Sequence, residues 1–566
     1  MIRLLSIPVI LAGLVAAAVF WSHDSGDSQR ADFAFVNRGD NKCLDPNGMS
    51  WMQDIRIAYA LWEGLYTPDP VTWKPVLGTA DRATVDSTRT VWTIHIRPDA
   101  RWSNSDPVKA GDFIFAWRRF LETPGEYTAL HFYIRGARQY SADFADYFAA
   151  RQKGDTKRAA PDFGSVGEKA LDDQTIEVTL NDPVPFFPAL LAFPPYFPMN
   201  EASMQPFKEK DGLHYNQKFT RPPYLVTNGP YRLAEWSFKR RLRMVASDYY
   251  WNRASVKSRV IDQIYAEDGT AAFRTYERGD VDWLAELDSD LAAQILAHGK
   301  RSDLHIFPAF GTYFYSLNCL PTLSDGRHNP LSDVRVRRAL AMSIDREPIV
   351  KNVGRLGQPI SFTYVPPHVF EGYVSPAGLP YDVARARRLL AEAGYPDGKG
   401  FPHLPILYNS EGLHGDIAQI IRRQWLDNLG IQMDLQGVEV KIFGEMQHTQ
   451  QFAVSRASWY GDYADPSTFT DKYKSDSDDN EAKWNSPEYD RLCALAAKET
   501  DPQKRLDLLS RAEGILLNDA PIIPLYTYVN SYMFRDQVKG LPLLANAMLM
   551  FQPVHVIRSD DGKSSQ

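Results

Sequence analysis

Cysteine is scarce in this sequence. The 566 residues include three cysteines, Cys43, Cys319 and Cys493, which lie far apart along the chain. No CxxC motif for a metal ion or a redox disulfide can form, and one disulfide at most is possible. We expect these residues to behave mainly as small buried apolar side chains.

Motifs for catalysis and for metal binding are also missing. The sequence has no HExxH or GxSxG motif, and its 12 histidines show no ligand spacing. Two partial matches fail: Gly400 stands where a phosphate loop needs Ser or Thr, and Glu481 stands where a calcium loop needs glycine. These absences favour a binding protein over an enzyme, with no metal or cofactor.

Positive charge shows no excess. The 63 Lys and Arg residues are outnumbered by 70 Asp and Glu residues, so the net charge is −7. This balance disfavours a nucleic-acid partner or a broad contact with anionic lipid. Aromatic residues, by contrast, make up 12% of the chain. Many of them must be in the core, and others are expected to line a ligand cleft.

Long apolar runs are absent except at the N-terminus. Arg3 precedes an apolar run over 4–21, and a polar stretch follows over 22–31. This order is typical of an export signal, and the run is just long enough to span a bilayer. We expect 1–31 to be a cleaved signal peptide or a membrane anchor with a polar linker. The remainder would lie in the periplasm or at the outer face of the cytoplasmic membrane, with no other membrane contact.

Strand and helix patterns are mixed along the rest of the chain. Strict alternation of apolar and polar residues predicts half-buried strands at 92–97 and 175–180. Residues 224–236 and 240–247 are expected to form paired strands. Helical spacing predicts a helix over 382–393, with an aspartate at its start and glycine and proline after its end. The mixture predicts an α/β or α+β protein, and we take α/β.

Several sequence blocks, taken in order, carry a family resemblance. They are LWEGL at 61–65, WTIHIRPDARWS at 92–103, VTNGPY at 226–231, DVRVRRAL at 333–340 and LLAEAGY at 389–395. Over about 33–557 the chain thereby resembles the peptide-binding proteins of bacterial ABC importers, the oligopeptide and dipeptide class of solute-binding family 5. It departs from that pattern at 104–106, where an Asp-Gly turn is usual.

The resemblance implies a two-lobed periplasmic-binding-protein-like fold, α/β and of type II or cluster C, with an extra domain and a ligand cleft between the lobes. Lobe 1, or domain I, would comprise 32–66, 195–310 and 529–566. The extra domain II would be 67–194, and lobe 2, or domain III, would be 311–528. The segments 311–315 and 523–528 would cross the hinge, and their tyrosines are expected to face the cleft: Tyr313, Tyr315, Tyr526 and Tyr528.

The function implied by the resemblance is that of an extracytoplasmic receptor. It would capture short peptides and deliver them to the permease subunits of an ABC transporter. Alternatives stay open: the same fold could bind a nickel chelate, an oligosaccharide or an opine, or the protein could be a membrane-anchored ligand sensor. A peptide receptor needs a buried carboxylate, because closure removes the water that solvates the peptide's α-ammonium group.

The segment RASWYGDYADP at 456–466 resembles the family's amine-binding segment. Asp462 matches the aspartate that would bind the peptide α-amine, although an aspartate in a loop can also cap a backbone N–H. Trp459 would form a flat wall beside the ligand. Arg456 matches an arginine that can meet a peptide carboxylate, and a structural ion pair is the alternative for it.

Three further positions match ligand-facing residues of the family. His414 and Asn409 would lie near the C-terminal end of a bound peptide, and Asp54 would be a ligand-facing acid. The lysine that meets the peptide carboxylate in oligopeptide binders is replaced by Gly354, with Arg355 beside it. The resemblance therefore implies intact recognition of the amine and altered recognition of the peptide's C-terminus.

Overall fold

The computed structural model describes residues 30–37, 39–155 and 157–558. The strands are β1 (Phe33–Val36), β2 (Tyr66–Pro68), β3 (Pro75–Leu77), β4 (Ala80–Val85), β5 (Val91–Ile96), β6 (Glu168–Ala170), β7 (Thr175–Thr179), β8 (Tyr231–Ser237), β9 (Arg241–Ala246), β10 (Val260–Ile264), β11 (Trp283–Leu284), β12 (Leu304–Leu317), β13 (Leu404–Asn409), β14 (Met433–Val438), β15 (Val454–Tyr460), β16 (Ile522–Phe534), β17 (Val538–Lys539) and β18 (His555–Val556).

The α-helices are α1 (Met52–Leu61), α2 (Ala110–Glu122), α3 (Ala137–Gln152), α4 (Phe187–Leu191), α5 (Glu201–Met204), α6 (Gly269–Glu277), α7 (Ser289–His298), α8 (Val334–Met342), α9 (Val383–Glu392), α10 (His414–Leu429), α11 (Val440–His448), α12 (Ser467–Thr470), α13 (Pro487–Lys498) and α14 (Pro502–Asp519). Within the described ranges, none of the helices has the length and apolar character needed to cross a membrane. The expected export segment at 4–21 lies outside the described residues.

One ten-stranded sheet, in the order β14-β13-β15-β12-β16-β11-β1-β10-β9-β8, runs through most of the molecule. We call the side with β1 and β8–β11 the first lobe, and the side with β13–β15 the second lobe. Each lobe combines parallel and antiparallel strand pairs. The pairs β1–β10 and β13–β14 are parallel, and the pairs β8–β9 and β12–β15 are antiparallel. This arrangement confirms the mixed α/β class and the two-lobed fold.

The two longest strands, β12 and β16, connect the lobes. Residues 304–308 of β12 pair with 529–533 of β16 beside the first lobe, whereas 311–317 of β12 pair with β15 of the second lobe. The register shifts between Pro308 and Thr312. At this junction Gly311 pairs with Tyr460, and a Cβ on Gly311 would lie 2.8 Å from the Tyr460 ring. The expected hinge segments therefore lie side by side where the chain passes between the lobes.

A separate four-stranded antiparallel sheet, β4-β5-β7-β6, lies within 67–194. Helix α2 packs beside this sheet through an apolar face that includes the buried residues Phe113 and Trp117. The Trp117 indole N–H donates a hydrogen bond to the carbonyl of Tyr196, 2.9 Å away, which satisfies its buried polar atom. We call 67–194 the extra segment.

The buried apolar residues form separate cores. The largest core combines the first lobe with the extra segment, and two others fill the second lobe. Among the described residues of 311–528, one, Tyr463, belongs to the largest core. The second lobe is thus built as a body of its own, with Tyr463 inserted into the opposite side.

Local predictions agree with the structure except in one region. The expected helix over 382–393 is α9, and the Asp382 carboxylate accepts the backbone N–H of Arg385 at 2.9 Å. The prediction of a strand from residue 224 is wrong, because β8 begins at Tyr231. Pro230 has no N–H to donate to a ladder, and Gly229 lies against the backbone of Leu61, so the chain before β8 packs on α1 instead.

Candidate functional site

A cavity of about 240 Å³ lies between the lobes. Its walls come from the start of α1, from the extra segment, from the loop after β15 and from the C-terminal region. The lining is mostly apolar and aromatic, with Asp462 as its acidic group; the aromatic side chains include Tyr59, Trp73, Tyr127, Phe193, Phe310 and Tyr460. Such a site can exclude water around one charged group of a ligand.

The loop that carries Asp462 is fixed by several contacts. The backbone N–H of Asp462 donates to the hydroxyl of Thr468 at 2.9 Å, and the N–H of Gly461 donates to the carbonyl of Phe310 at 2.9 Å. Further along, the Asp465 carboxylate accepts two hydrogen bonds from the Arg505 guanidinium, each 2.7 Å long. The loop therefore presents the Asp462 side chain in a defined position.

In the part of the chain that the structure describes, the Asp462 carboxylate has no counterion. Among the described residues, none donates a hydrogen bond to it or forms an ion pair with it. Its pKa is raised to about 7, mainly by burial; the negative charges of Asp479 and Glu126 act in the same direction, and the charge of Lys472 opposes them. The Lys472 ammonium is already bound to the Glu481 carboxylate at 2.8 Å. The carboxyl group is thus poorly solvated and has no described counterion, so a cationic ligand group would stabilise its charged form.

A second polar group lies at the other end of β15. The Arg456 guanidinium donates to the side-chain oxygen of Asn409 at 2.7 Å and to the Ser458 hydroxyl at 3.2 Å. It also lies 4.9 Å from the centre of the Phe443 ring. No carboxylate of the described residues forms an ion pair with Arg456. Its neutral partners orient the cation and leave its charge uncompensated.

A row of aromatic rings lies in the same region as these two groups. Tyr313 donates or accepts a 3.1 Å hydrogen bond with Nδ1 of His414 and stacks on Tyr526 at 4.9 Å. Tyr528 follows, 5.5 Å from Tyr526, and stacks on Tyr460 at 5.0 Å. Burial, together with the charge of Arg456, lowers the pKa of His414 to about 3, so this histidine is neutral at pH 7. The predicted residues His414, Tyr313, Tyr526 and Tyr528 are therefore brought together in one cluster; none of the four lines the cavity itself, and the cluster meets the cavity wall through Tyr460.

Other predicted ligand residues lie away from the cavity wall. Trp459 is on the face of β15 opposite Arg456 and Tyr460, and its indole N–H donates to the carbonyl of Thr468 at 2.8 Å. Tyr315 is fully buried in the core of the second lobe. Contact between either residue and a ligand stays a prediction.

The Asp54 side chain forms hydrogen bonds with the loop before α1 and so has a local structural role. It is fully buried on α1 and accepts the backbone N–H groups of Lys42 and Cys43 at 2.9 and 3.2 Å, together with the Asn41 amide at 3.1 Å. These bonds hold the loop before α1. The ligand-facing role expected for Asp54 stays a prediction that its hydrogen bonds do not favour.

Sequence reasoning missed the walls of the cavity. Tyr59, Trp73, Tyr127, Phe193 and Phe310 come from five separate stretches of chain. The only signal for them was the high aromatic content, which predicts a lined cleft without assigning positions. Within the described ranges, no cluster of three or more His, Cys, Asp or Glu could hold a metal ion, and the three cysteines are all unpaired.

Two lobes joined by a pair of long strands, with a ligand-sized cavity between them, define a solute-binding protein. Residues 74–481 match the family described as "Bacterial extracellular solute-binding proteins, family 5 Middle". Since this match covers most of the chain, the protein belongs to bacterial extracellular solute-binding protein family 5.

Named relatives and solved structures agree with this assignment. The chain is 31% identical over 540 residues to the periplasmic oligopeptide-binding protein OppA of Salmonella typhimurium, covering 94% of each chain. It superposes on OppA of Burkholderia pseudomallei with a TM-score of 0.73 at 30% identity, covering 94% of this chain and all of that one. For Haemophilus influenzae OppA in complex with the peptide RPPGFSPFR the TM-score is 0.71 at 26% identity, with coverage of 94% and 100%.

Proposed function

We propose that this protein is an extracytoplasmic receptor that captures short peptides and delivers them to the permease of an ABC transporter, without catalysing a reaction. The observation that carries the proposal is the Asp462 carboxylate, which is desolvated, lies in the interlobe cavity and has no cation partner among the described residues. A peptide α-ammonium would neutralise this charge. The oligopeptide-binding relatives, and the peptide complex of the Haemophilus protein, support a peptide as the ligand.

The second polar group gives the proposed site a direction. Arg456 lies six residues before Asp462 along β15 and the loop that follows, so their Cα atoms are at most about 20 Å apart. An extended peptide of a few residues is compatible with a span of this size. We infer that Arg456, oriented by Asn409, meets the carboxylate end and that neutral His414 lies beside it.

The division of the chain follows the same proposal. Residues 32–66, 195–310 and 529–566 would form lobe 1, residues 67–194 the extra domain, and residues 311–528 lobe 2. The separate sheet of the extra segment and the crossing of β12 and β16 support these boundaries. Export would depend on 4–21, either as a removed signal or as an anchor at the outer face of the membrane.

Two measurements on the purified protein test this function. Native mass spectrometry of protein isolated from cells should show bound ligands that fragment as peptides. Calorimetry with tri-, tetra- and pentaalanine should give binding with the free peptides and at least a hundredfold weaker binding with their N-acetylated forms. Recovery of an oligosaccharide, an opine or a metal chelate, with no binding of any free peptide, would refute peptide capture.

A further inference from the structure

We propose that the extra segment, 67–194, is a working part of the ligand clamp, and that Phe186 and Tyr133 are positioning residues for the Asp462 loop. This inference rests on the proposed function and extends it to a part of the chain outside the two lobes. Neither residue lines the cavity. Both act through partners in the second lobe that lie next to Asp462 or close behind it in sequence.

The first contact is between two aromatic rings. Phe186 of the extra segment stacks on Tyr463, with 4.7 Å between the ring centres and 13° between the ring planes. Both side chains are buried, at 8% and 6% exposure. Since Tyr463 directly follows Asp462, a displacement of its ring moves the peptide bond that they share. The Phe186 ring therefore fixes the backbone that presents the Asp462 carboxylate to the ligand.

The second contact is polar and lies close to the first. The Tyr133 hydroxyl donates to the Asp471 carboxylate at 3.0 Å, and the Tyr133 ring packs edge-on against Phe186 at 5.4 Å. Asp471 follows α12, the short helix that begins shortly after the Asp462 loop. The extra segment thus contacts the Asp462 loop at Tyr463 and contacts Asp471 directly after the short helix that follows the loop.

The second lobe holds the same loop from the other side. Arg505 binds Asp465 with two 2.7 Å hydrogen bonds, and its guanidinium lies 5.8 Å from the centre of the Phe186 ring. Phe186 is therefore enclosed between Tyr133, Tyr463 and Arg505. This cluster connects the extra segment with the second lobe. It is a buried contact, because Tyr463 of the second lobe is part of the core that the first lobe and the extra segment share.

The extra segment also supplies part of the cavity wall itself. Trp73, Tyr127 and Phe193 line the space in front of Asp462, and the Tyr127 and Phe193 rings pack edge-on at 5.0 Å. A ligand enclosed there contacts the extra segment and the second lobe together. The Phe186 and Tyr133 contacts then stabilise the enclosed state, so their loss should speed ligand release more than it slows capture.

The test uses conservative variants of the full chain. Phe186→Leu keeps an apolar side chain and removes the ring stack, and Tyr133→Phe removes a single hydroxyl. The matched controls lie in the same segment: Phe163→Leu, whose ring packs on Tyr140 at 5.2 Å, and Tyr147→Phe at a hydroxyl without a described hydrogen bond. Stopped-flow tryptophan fluorescence with the tightest-binding alanine peptide reports association and release, since Trp73 lines the cavity.

Release is expected to be about 2- to 12-fold faster in Phe186→Leu and about tenfold faster in Tyr133→Phe. Association should change less than release, Phe186→Tyr should restore the wild-type rate, and the peptide-induced rise in Tm should shrink. Preference for free over N-acetylated peptide should persist, because Asp462 is intact.

Release rates in both variants equal to those of wild type and of the controls would overturn the role of the extra segment. That result leaves the proposed function standing as long as the wild-type protein binds free peptides. An equal loss of Tm in the free proteins, with no change in release, would also overturn it, because this result assigns the two residues to ordinary packing. Failure of the wild-type protein to bind any peptide would instead refute the proposed function.

Discussion

Replacing Asp462 by asparagine removes the charge at the centre of the site and keeps its shape. A peptide bound in the Asn variant would have its α-ammonium buried without a counterion. Breaking a buried ion pair in this way costs about 3–5 kcal/mol, which corresponds to a loss of affinity of about two to three and a half orders of magnitude. The N-acetylated peptide carries no ammonium, so its weak binding should not fall further.

The same site gives the binding a specific pH profile. The pKa of Asp462 is raised to about 7 in the free protein, because burial disfavours its charged form. Peptide binding favours that form, so below pH 7 affinity should fall by up to tenfold per pH unit as the aspartate is protonated. Above about pH 8 affinity should fall again as the α-amine loses its proton. The Asn variant should lose the acidic limb and keep the basic one.

The stability of the free protein should fall over the same pH range in which the affinity for peptide rises. A carboxyl group whose pKa is higher folded than unfolded destabilises the folded state as pH rises through the folded pKa. At pH 8 the Asn variant should therefore have a higher Tm than wild type. Asp478→Asn, in an exposed loop nearby, is the matched control. Calorimetry and thermal melts from pH 5 to 9 measure both effects; an Asn variant with wild-type affinity and the wild-type acidic limb would refute the assignment of Asp462.

Three further outcomes follow from the hydrogen bonds. Arg456→Gln should weaken binding of free-acid peptides by about 10- to 100-fold in calorimetry, and C-terminally amidated peptides should be unaffected; equal effects on both would contradict a carboxylate partner. Asp54→Ala should lower the free energy of unfolding by about 1–3 kcal/mol in urea melts, because two backbone N–H groups lose their acceptor, without changing the preference for a free amine. Glu513 is buried, and its pKa is raised to about 7. The folded protein therefore loses stability as the pH rises from the unfolded-state pKa of this group through 7. The Tm of Glu513→Gln should depend less on pH between 5 and 8 than the Tm of wild type.

Local patterns predicted the mixed class and many of the elements. The helix expected over 382–393 and the strands expected at 92–97 and 175–180 depend on spacing, capping and alternation, which are local properties. The strand predicted from residue 224 failed because the contact of Gly229 with the backbone of Leu61 is between residues distant in sequence. The order of the ten-stranded sheet could not follow from spacing alone, since β1 pairs with β10 and β11 across more than two hundred residues.

In the candidate site, too, some features could be predicted from the sequence and others could not. Asp462 could be singled out because its segment resembles the family's amine-binding segment. Its unpaired state could not, because this depends on Lys472 being bound to Glu481 rather than to Asp462. For Asp54 the sequence match was misleading in the other direction. The match indicates a ligand-facing acid, but the carboxylate already accepts hydrogen bonds from three donors near residue 42.

A crystal structure of the protein with the tightest-binding alanine peptide tests the central claim most directly. The peptide's α-ammonium nitrogen should lie about 3 Å from the Asp462 carboxylate, inside the cavity between the lobes. A peptide bound with its amine elsewhere, or with Asp462 facing bulk water, would contradict the claim.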